Sequence, residues 1–218
     1  MPDPKGPSEF VDAAYHLEDE ASTVEFYRKW AEDYDHQMLD ELGYTSPTSI
    51  ARRLSTHLPS TDATVLDIGC GTGLTCVYLA QKGYANLDGI DLSPEMVRVA
   101  GQRGIYRELL VGDLNQPLER DDASYDGVIS SGTFTHGHVG PQPLDEIFRI
   151  LKPGGILACT VHEDLWEALG FRTKFEQLVD HGVARCLERE MDSFYRDAPP
   201  EGLFCVYQKS ASQSRPHA

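Results

Sequence analysis

Three carboxylates and three glycines are the residues of this 218-residue chain whose spacing points most directly to chemistry. Asp67 lies in a short apolar run and is followed by Gly69, Gly71 and Gly73, so the stretch reads V-L-D-I-G-C-G-T-G. Glycine lacks a Cβ, so a turn built from it can take positive φ and let a ligand press against bare backbone at a helix start. The nicotinamide fingerprint spaces its glycines as G-x-G-x-x-G. Counted from Gly69 and Gly71, its third glycine would fall at Leu74. The spacing here is G-x-G-x-G, and a carboxylate two residues ahead of it suits a cationic group better than a pyrophosphate. Asp91 ends a second run, Leu87-Asp88-Gly89-Ile90-Asp91, close to the interval of about 20 residues at which an acid meets ribose hydroxyls. The two oxygens of one carboxylate can each accept from one of two neighbouring hydroxyls. Asp91 as a helix N-cap is the alternative, although Ser93 is better placed for that task. Asp113 follows Gly112 after a third run; its carboxylate can accept from an exocyclic amine while the backbone N–H of Leu114 reaches a ring nitrogen.

A fourth strand-end segment, Gly132-Thr133-Phe134-Thr135-His136-Gly137-His138-Val139-Gly140, carries two imidazoles. A histidine titrates near neutral pH and can take a proton from a hydroxyl or carboxylic acid. His136 and His138 are therefore the candidate general bases. Hydrogen bonding within the loop, or exposure to solvent, is the plainer alternative. A metal site from His136, His138, His162 and Glu163 lacks ligand spacing, and none is expected.

These residues need strands that end at one edge of a sheet. The expected order is a buried strand at Val65, the glycine turn and a helix from Leu74; a strand to Asp91 and a helix from Pro94 to Gly101; and strands Tyr106–Val111 and Tyr125–Gly132. An amphipathic helix Asp145–Leu151 then leads through Lys152-Pro153-Gly154-Gly155 to a strand Ile156–Val161. Asp164–His181 reads as helical, and Ala184–Tyr195 and Leu203–Gln208 as the last two strands. Upstream, Val24, Tyr27, Ala31, Tyr34 and Met38 recur at helical steps, giving a helix Ser22–Leu42, and Ser46-Pro47 opens another that ends near Leu58. The domain division is a frayed tail over 1–20, a helical cap over 21–60, a core over 61–209 and a loose tail over 210–218.

The glycine stretch resembles motif I of the class I S-adenosylmethionine-dependent methyltransferases. I-D-L-S-P-E-M from Ile90, the Gly112-Asp113 pair, the Y-D-G-V strand at Tyr125 and the K-P-G-G turn are similar to the family's later motifs in the same order. Trp30-Ala31-Glu32-Asp33-Tyr34-Asp35 resembles a W-A-x-x-Y-D signature found upstream of motif I in small-molecule members. Together with the G-T-F-T-H-G-H-V loop it is similar to the group that includes the Williams–Beuren-region methyltransferase. The resemblance covers about residues 26–161. It implies an α/β fold, a seven-stranded mostly parallel doubly wound sheet with the last hairpin antiparallel. It also implies S-adenosyl-L-methionine as cofactor, held by Asp67, Gly69, Cys70, Gly71 and Gly73 at the methionine and ribose. Asp91, Leu92 and Met96 would serve the ribose and adenine, Gly112, Asp113 and Leu114 the adenine, and Ser131 and Gly132 the reacting end. Tyr27, Trp30 and Tyr34 would close over the cofactor; their three- and four-residue spacing equally suits a packed helical stripe, and a lid helix can be both. The activity implied is in-line methyl transfer to a small acceptor, through oxygen or nitrogen first of all. A non-catalytic binding module for the cofactor or its demethylated product is the rival reading.

Composition narrows the partners. The formal net charge is −16 and no basic patch is visible, which opposes binding to nucleic acid or an anionic membrane. Five scattered cysteines without a C-x-x-C pair suit reduced, buried thiols in a cytoplasmic protein. The first residues have no apolar h-region. A monomer or a homodimer is compatible with this charge.

Overall fold

The computed structural model describes Ala13, residues 20–134 and residues 139–211. Seven strands form one sheet: β1 Val65–Ile68, β2 Leu87–Asp91, β3 Glu108–Val111, β4 Tyr125–Phe134, β5 Leu151–His162, β6 Ala184–Asp192 and β7 Gly202–Lys209. Their spatial order is β3-β2-β1-β4-β5-β7-β6. Strands β1 to β5 pair in parallel, and β7 lies antiparallel between β5 and β6. The order reverses between β1 and β4, which makes that pair the switch point where ligands bind in open α/β sheets.

Among the described residues the α-helices are α1 Glu20–Trp30, α2 Ser46–His57, α3 Leu74–Gln81, α4 Pro94–Gln102, α5 Pro143–Ile150, α6 Glu163–Ala168 and α7 Phe171–Asp180. Alternation along the strands divides the core. Leu66, Ile68, Leu157, Cys159 and Val161 pack with Phe148, Phe171 and Phe175 on one face. Val65, Ile129, Ile156 and Ala158 pack with Ile50, Leu54, Cys76, Leu79 and Trp30 on the other. Burial on both faces accounts for the near-continuous apolar runs of β1 and β5.

Some boundaries move. The single helix expected from Ser22 to Leu42 stops at Trp30, and a π-helical turn, His36–Glu41, follows a break at residues 31–33. The stretch from Asp164 to His181 divides into α6 and α7 at Gly170, which has φ of 81°. β3 begins at Glu108 rather than Tyr106, and Tyr106 instead turns its hydroxyl to Asp67. Four cysteines are buried, but Cys186 is exposed on the edge strand β6, against the expectation that all are core thiols. No described helix is long and apolar enough to cross a membrane.

Candidate active site

The glycine turn has two functions that the sequence merged. Gly69 and Gly73 have φ of 63° and 90°, and each is crowded from within the protein. A Cβ on Gly69 would come within 2.1 Å of the Thr133 Oγ1, and one on Gly73 within 2.9 Å of the Tyr106 ring. A Cβ on Gly71, whose φ is 54°, would meet nothing within 4 Å. Two glycines are therefore demanded by the fold, and Gly71 is the one that presents bare backbone to open space.

Asp67 sits beneath this turn with no exposure. One oxygen, Oδ2, accepts from the Tyr106 hydroxyl at 2.7 Å, and Oδ1 is buried without a partner. Burial pushes its pKa up to about 7, with Tyr106 and Cys76 partly opposing the rise and the Asp91 charge adding to it. The contrast is Asp88, equally buried one strand over. Arg107 binds both of its oxygens, at 3.0 and 2.6 Å, and Tyr125 adds a third bond at 3.1 Å. A buried carboxylate normally finds such partners. Asp67 lacks a cation, and an ammonium group from a ligand is the partner it suits.

Asp91 ends β2, and both its oxygens already hold backbone: Oδ2 takes the Gly71 N–H and Oδ1 the Ser93 N–H, each at 2.8 Å. Burial raises its pKa, and these N–H groups pull the other way. Each carboxylate oxygen has a second lone pair, so the acid can brace the glycine turn and still accept from a diol. Ser93 caps α4, its Oγ accepting from the Met96 N–H at 3.4 Å, so capping is its task. Met96 and Leu114 are buried, and Cys70 turns its thiol inward toward Gly89. Gly112 donates its N–H to the Asp91 carbonyl at 2.9 Å, tying the end of β3 to that of β2. Asp113 accepts from the Asn115 backbone and side-chain amides at 2.8 and 3.0 Å. The acids expected at three strand ends are thus brought to one edge of the sheet.

The aromatic helix lies against this edge. Trp30 is 2% exposed, stacks on Tyr27 at 6.1 Å, meets Tyr34 edge-on at 4.7 Å and donates its indole N–H to Gln37 at 2.8 Å. Trp30 belongs to the core cluster on that face, and Tyr27 and Tyr34 pack against it partly buried. The packed-stripe reading holds, and a lid function is compatible with it.

Sequence reasoning missed how this segment is fastened. Asp35 accepts from the Thr72 hydroxyl at 2.5 Å and from the Arg103 guanidinium, and Arg103 Nε donates to the Thr72 carbonyl at 2.5 Å. Asp35 is the last residue of the W-A-x-x-Y-D segment and so was visible; nothing in the sequence marks Arg103 or Tyr106.

On the other side of the switch point, Ser131 hydrogen-bonds the Tyr44 hydroxyl at 3.2 Å and the Ser46 hydroxyl at 2.9 Å. The Gly132 N–H donates to Thr160 Oγ1 at 3.2 Å. Ser131 and Gly132 thus join β4 to β5 and to the segment that precedes α2. His136 and His138 lie outside the described residues. Among the described residues, no group of three or more His, Cys, Asp or Glu side chains could hold a metal ion.

The sheet order, the glycine turn and the acids at β1, β2 and β3 define a class I methyltransferase fold. Residues 66–159 match the family described as a methyltransferase domain. Human methyltransferase-like protein 27 is 35% identical over 153 residues, which are 69% of this chain and 62% of that protein. The chain therefore spans less than two thirds of the human protein's length. A putative S-adenosylmethionine-dependent methyltransferase from Methanococcus maripaludis superposes with a TM-score of 0.60 at 19% identity, covering 86% of this chain and 95% of the other. The [4+2]-cyclase SpnF superposes with a TM-score of 0.70 at 16% identity, covering 90% of this chain and 98% of that one. Residues 66–159 thus match a methyltransferase domain, and the fold is that of the class I S-adenosylmethionine-dependent methyltransferases, a class whose methyl donor is S-adenosylmethionine. Within that class it is similar to the group of the human relative.

Proposed function

We propose that this chain is an enzyme that transfers a methyl group from S-adenosylmethionine to oxygen or nitrogen of a small acceptor. The observation that carries the reading is the pairing of Asp67 with Gly71. One is a buried carboxylate with an unpartnered oxygen; the other is a stretch of backbone with space above it. Bound there, the cofactor supplies an electrophilic methyl on a sulfonium centre. Asp67 would hold the ammonium of its methionine, Asp91 the ribose diol, and Asp113 with the Leu114 N–H the adenine. Gly69, Gly71 and Gly73, with the Cys70 backbone, would shape the floor, and Leu92, Met96, Ser131 and Gly132 the walls. Tyr27, Trp30 and Tyr34 would shield it from water. In-line transfer needs the nucleophile brought to about 3 Å and water kept out, and the helical cap would serve both. For a hydroxyl acceptor, His136 or His138 would take the proton. The strong negative charge favours a small-molecule acceptor over nucleic acid or a membrane, and suits a cytoplasmic monomer or homodimer.

A second reading is a protein that binds the cofactor without transferring its methyl group. The likeness to a cyclase supports it, because one fold hosts many chemistries. Calorimetry with adenosylhomocysteine and with NAD, followed by methyl incorporation from labelled cofactor into metabolite fractions, separates the cases. Adenosylhomocysteine alone should bind, and label should enter an acceptor. Binding without incorporation selects the second reading, and no binding removes both.

A further inference from the structure

Among the described residues, two buried side-chain oxygens have no hydrogen-bond partner: Asp67 Oδ1 and Glu201 Oε1. They lie on opposite sides of the switch point. Asp67 belongs to β1, on the β3-β2-β1 half where the cofactor acids gather. Glu201 immediately precedes β7, on the β4-β5-β7 half.

The surroundings of Glu201 are assembled from four separate segments. In the β5–β7 ladder His162 pairs with Gly202, and the Glu163 N–H donates to the Glu201 carbonyl at 2.9 Å, so the end of β5 lies beside Glu201. His162 is 9% exposed, and its Nδ1 accepts from the Asp164 N–H at 3.2 Å. The Phe194 ring lies 6.1 Å from the His162 ring and fills the place where a side chain on Gly202 would be. From the opposite direction come Tyr44, Thr45 and Ser46. The Thr45 and Ser46 N–H groups donate to the Phe194 carbonyl, and the Tyr44 and Tyr195 rings lie 5.4 Å apart. Burial raises the Tyr44 pKa, and the Glu201 charge adds to it, while burial raises that of Glu201 and His162 opposes. Tyr44 also reaches Ser131 at the end of β4. The segment before α2, the ends of β4 and β5 and the β6–β7 connection therefore meet beside Glu201, which interacts electrostatically with Tyr44 and His162.

A carboxyl oxygen buried without a donor costs free energy that folding alone does not recover. The titratable groups that interact with Glu201 are Tyr44, His162 and Glu163, and no lysine or arginine is among them. An anionic group would meet Glu201 as a like charge. We propose that Glu201 anchors the methyl acceptor, its Oε1 taking a hydrogen bond from an amine or hydroxyl on a small aromatic compound, with Tyr44, His162, Phe194 and Tyr195 as the surrounding wall. This rests on the methyl-transfer reading for the word acceptor; the site itself stands on its own residues.

The test measures binding of benzylamine, tyramine and catechol, with benzoate and phenylacetate as anionic counterparts, by ligand-observed NMR. It is run with and without saturating adenosylhomocysteine. The amine and hydroxyl probes should bind the wild type, bind Glu201→Ala at least tenfold more weakly, and exceed the carboxylates. Glu201→Gln, close in shape, serves if the alanine variant does not fold, and should lose the amines most. Adenosylhomocysteine should raise the melting temperature of wild type and variants alike. If no probe binds, if carboxylates bind as well as amines, or if binding ignores both substitutions, the acceptor site is not at Glu201. If adenosylhomocysteine leaves the wild type unstabilised while the probes still depend on Glu201, the methyl-transfer reading fails and the site survives.

Discussion

The Asp35 carboxylate accepts a hydrogen bond from the Thr72 hydroxyl at 2.5 Å, joining the residue that ends the aromatic cap segment to the middle of the glycine turn. Arg103 completes the contact by reaching both Asp35 and the Thr72 carbonyl. The turn that presents Gly71 and the segment that carries Trp30 and Tyr34 are thus one mechanical unit.

Removing either end of this bond should therefore weaken cofactor binding without touching a cofactor contact. Asp35→Ala and Thr72→Val should each reduce adenosylhomocysteine affinity roughly tenfold, the scale of a hydrogen bond to a charged group. The double variant should lose little more than Asp35→Ala alone, because that variant already lacks the Thr72 bond along with the one to Arg103. Calorimetry reads the affinities, and hydrogen exchange should show α1 less protected in all three. Additive losses would mean that the two residues act separately.

Asp91 makes a different prediction from an acid that only touches ribose. Its oxygens hold the Gly71 and Ser93 N–H groups. Asp91→Ala should cost about 1–3 kcal/mol in cofactor binding and also destabilise the free protein, because two backbone donors lose their acceptor. Asp91→Asn keeps one acceptor oxygen and should lose less on both counts. Thermal melts with and without adenosylhomocysteine separate the two effects; an unchanged free-protein melting temperature would assign Asp91 to the ligand alone.

Asp67 links stability and binding to pH. An unfolded aspartate loses its proton near pH 4, whereas this carboxyl keeps it to about pH 7. Between those values the folded state binds more protons, so stability falls as pH rises, by up to about 1.4 kcal/mol for each pH unit. Asp91 contributes in the same direction, so the comparison is wild type against Asp67→Asn, whose slope from pH 4 to 7 should be shallower. A ligand ammonium favours the ionised carboxylate. Adenosylhomocysteine affinity should therefore increase from pH 6 and level off above about pH 7, once Asp67 is ionised, because the ligand's own amino group stays protonated well beyond that. Equal slopes in the two proteins would remove Asp67 from both effects.

What the sequence disclosed is what local chemistry encodes. Acids at strand ends, glycines at tight turns and a proline-glycine break each mark a place where backbone geometry limits the residue type. The three acids and the seven strands were legible for that reason. The division of work among the glycines was not, because Thr133 and Tyr106, which crowd Gly69 and Gly73, come from distant strands and loops. The Asp35–Thr72–Arg103 contact and the cluster at Glu201 were hidden likewise: each joins residues whose pairing depends on the finished fold. The break after Trp30 was missed because apolar residues continue at helical steps through Met38, and periodicity does not distinguish an α-helix from one that widens into a π-turn.

The last prediction concerns His136 and His138. If one of them takes the proton of a hydroxyl acceptor, its replacement by alanine should leave adenosylhomocysteine affinity nearly intact. Turnover should fall about 10²–10⁴-fold, the usual contribution of a positioned base. The wild-type rate should increase with pH through an apparent pKa of roughly 6–7, because only the neutral imidazole accepts a proton. That limb should disappear in the variant that lacks the base. A positioning role gives a raised KM with the limb retained. An amine acceptor must itself be neutral to attack and brings an acidic limb of its own, so wild type and variant are compared on one substrate. Asp67 also titrates in this range, but it would act through cofactor binding; saturating cofactor removes its contribution from kcat and leaves that of the base. If both single variants and the double variant keep rate and limb under those conditions, the proton leaves by another route, and the carboxylate of Glu201 becomes the group to replace next.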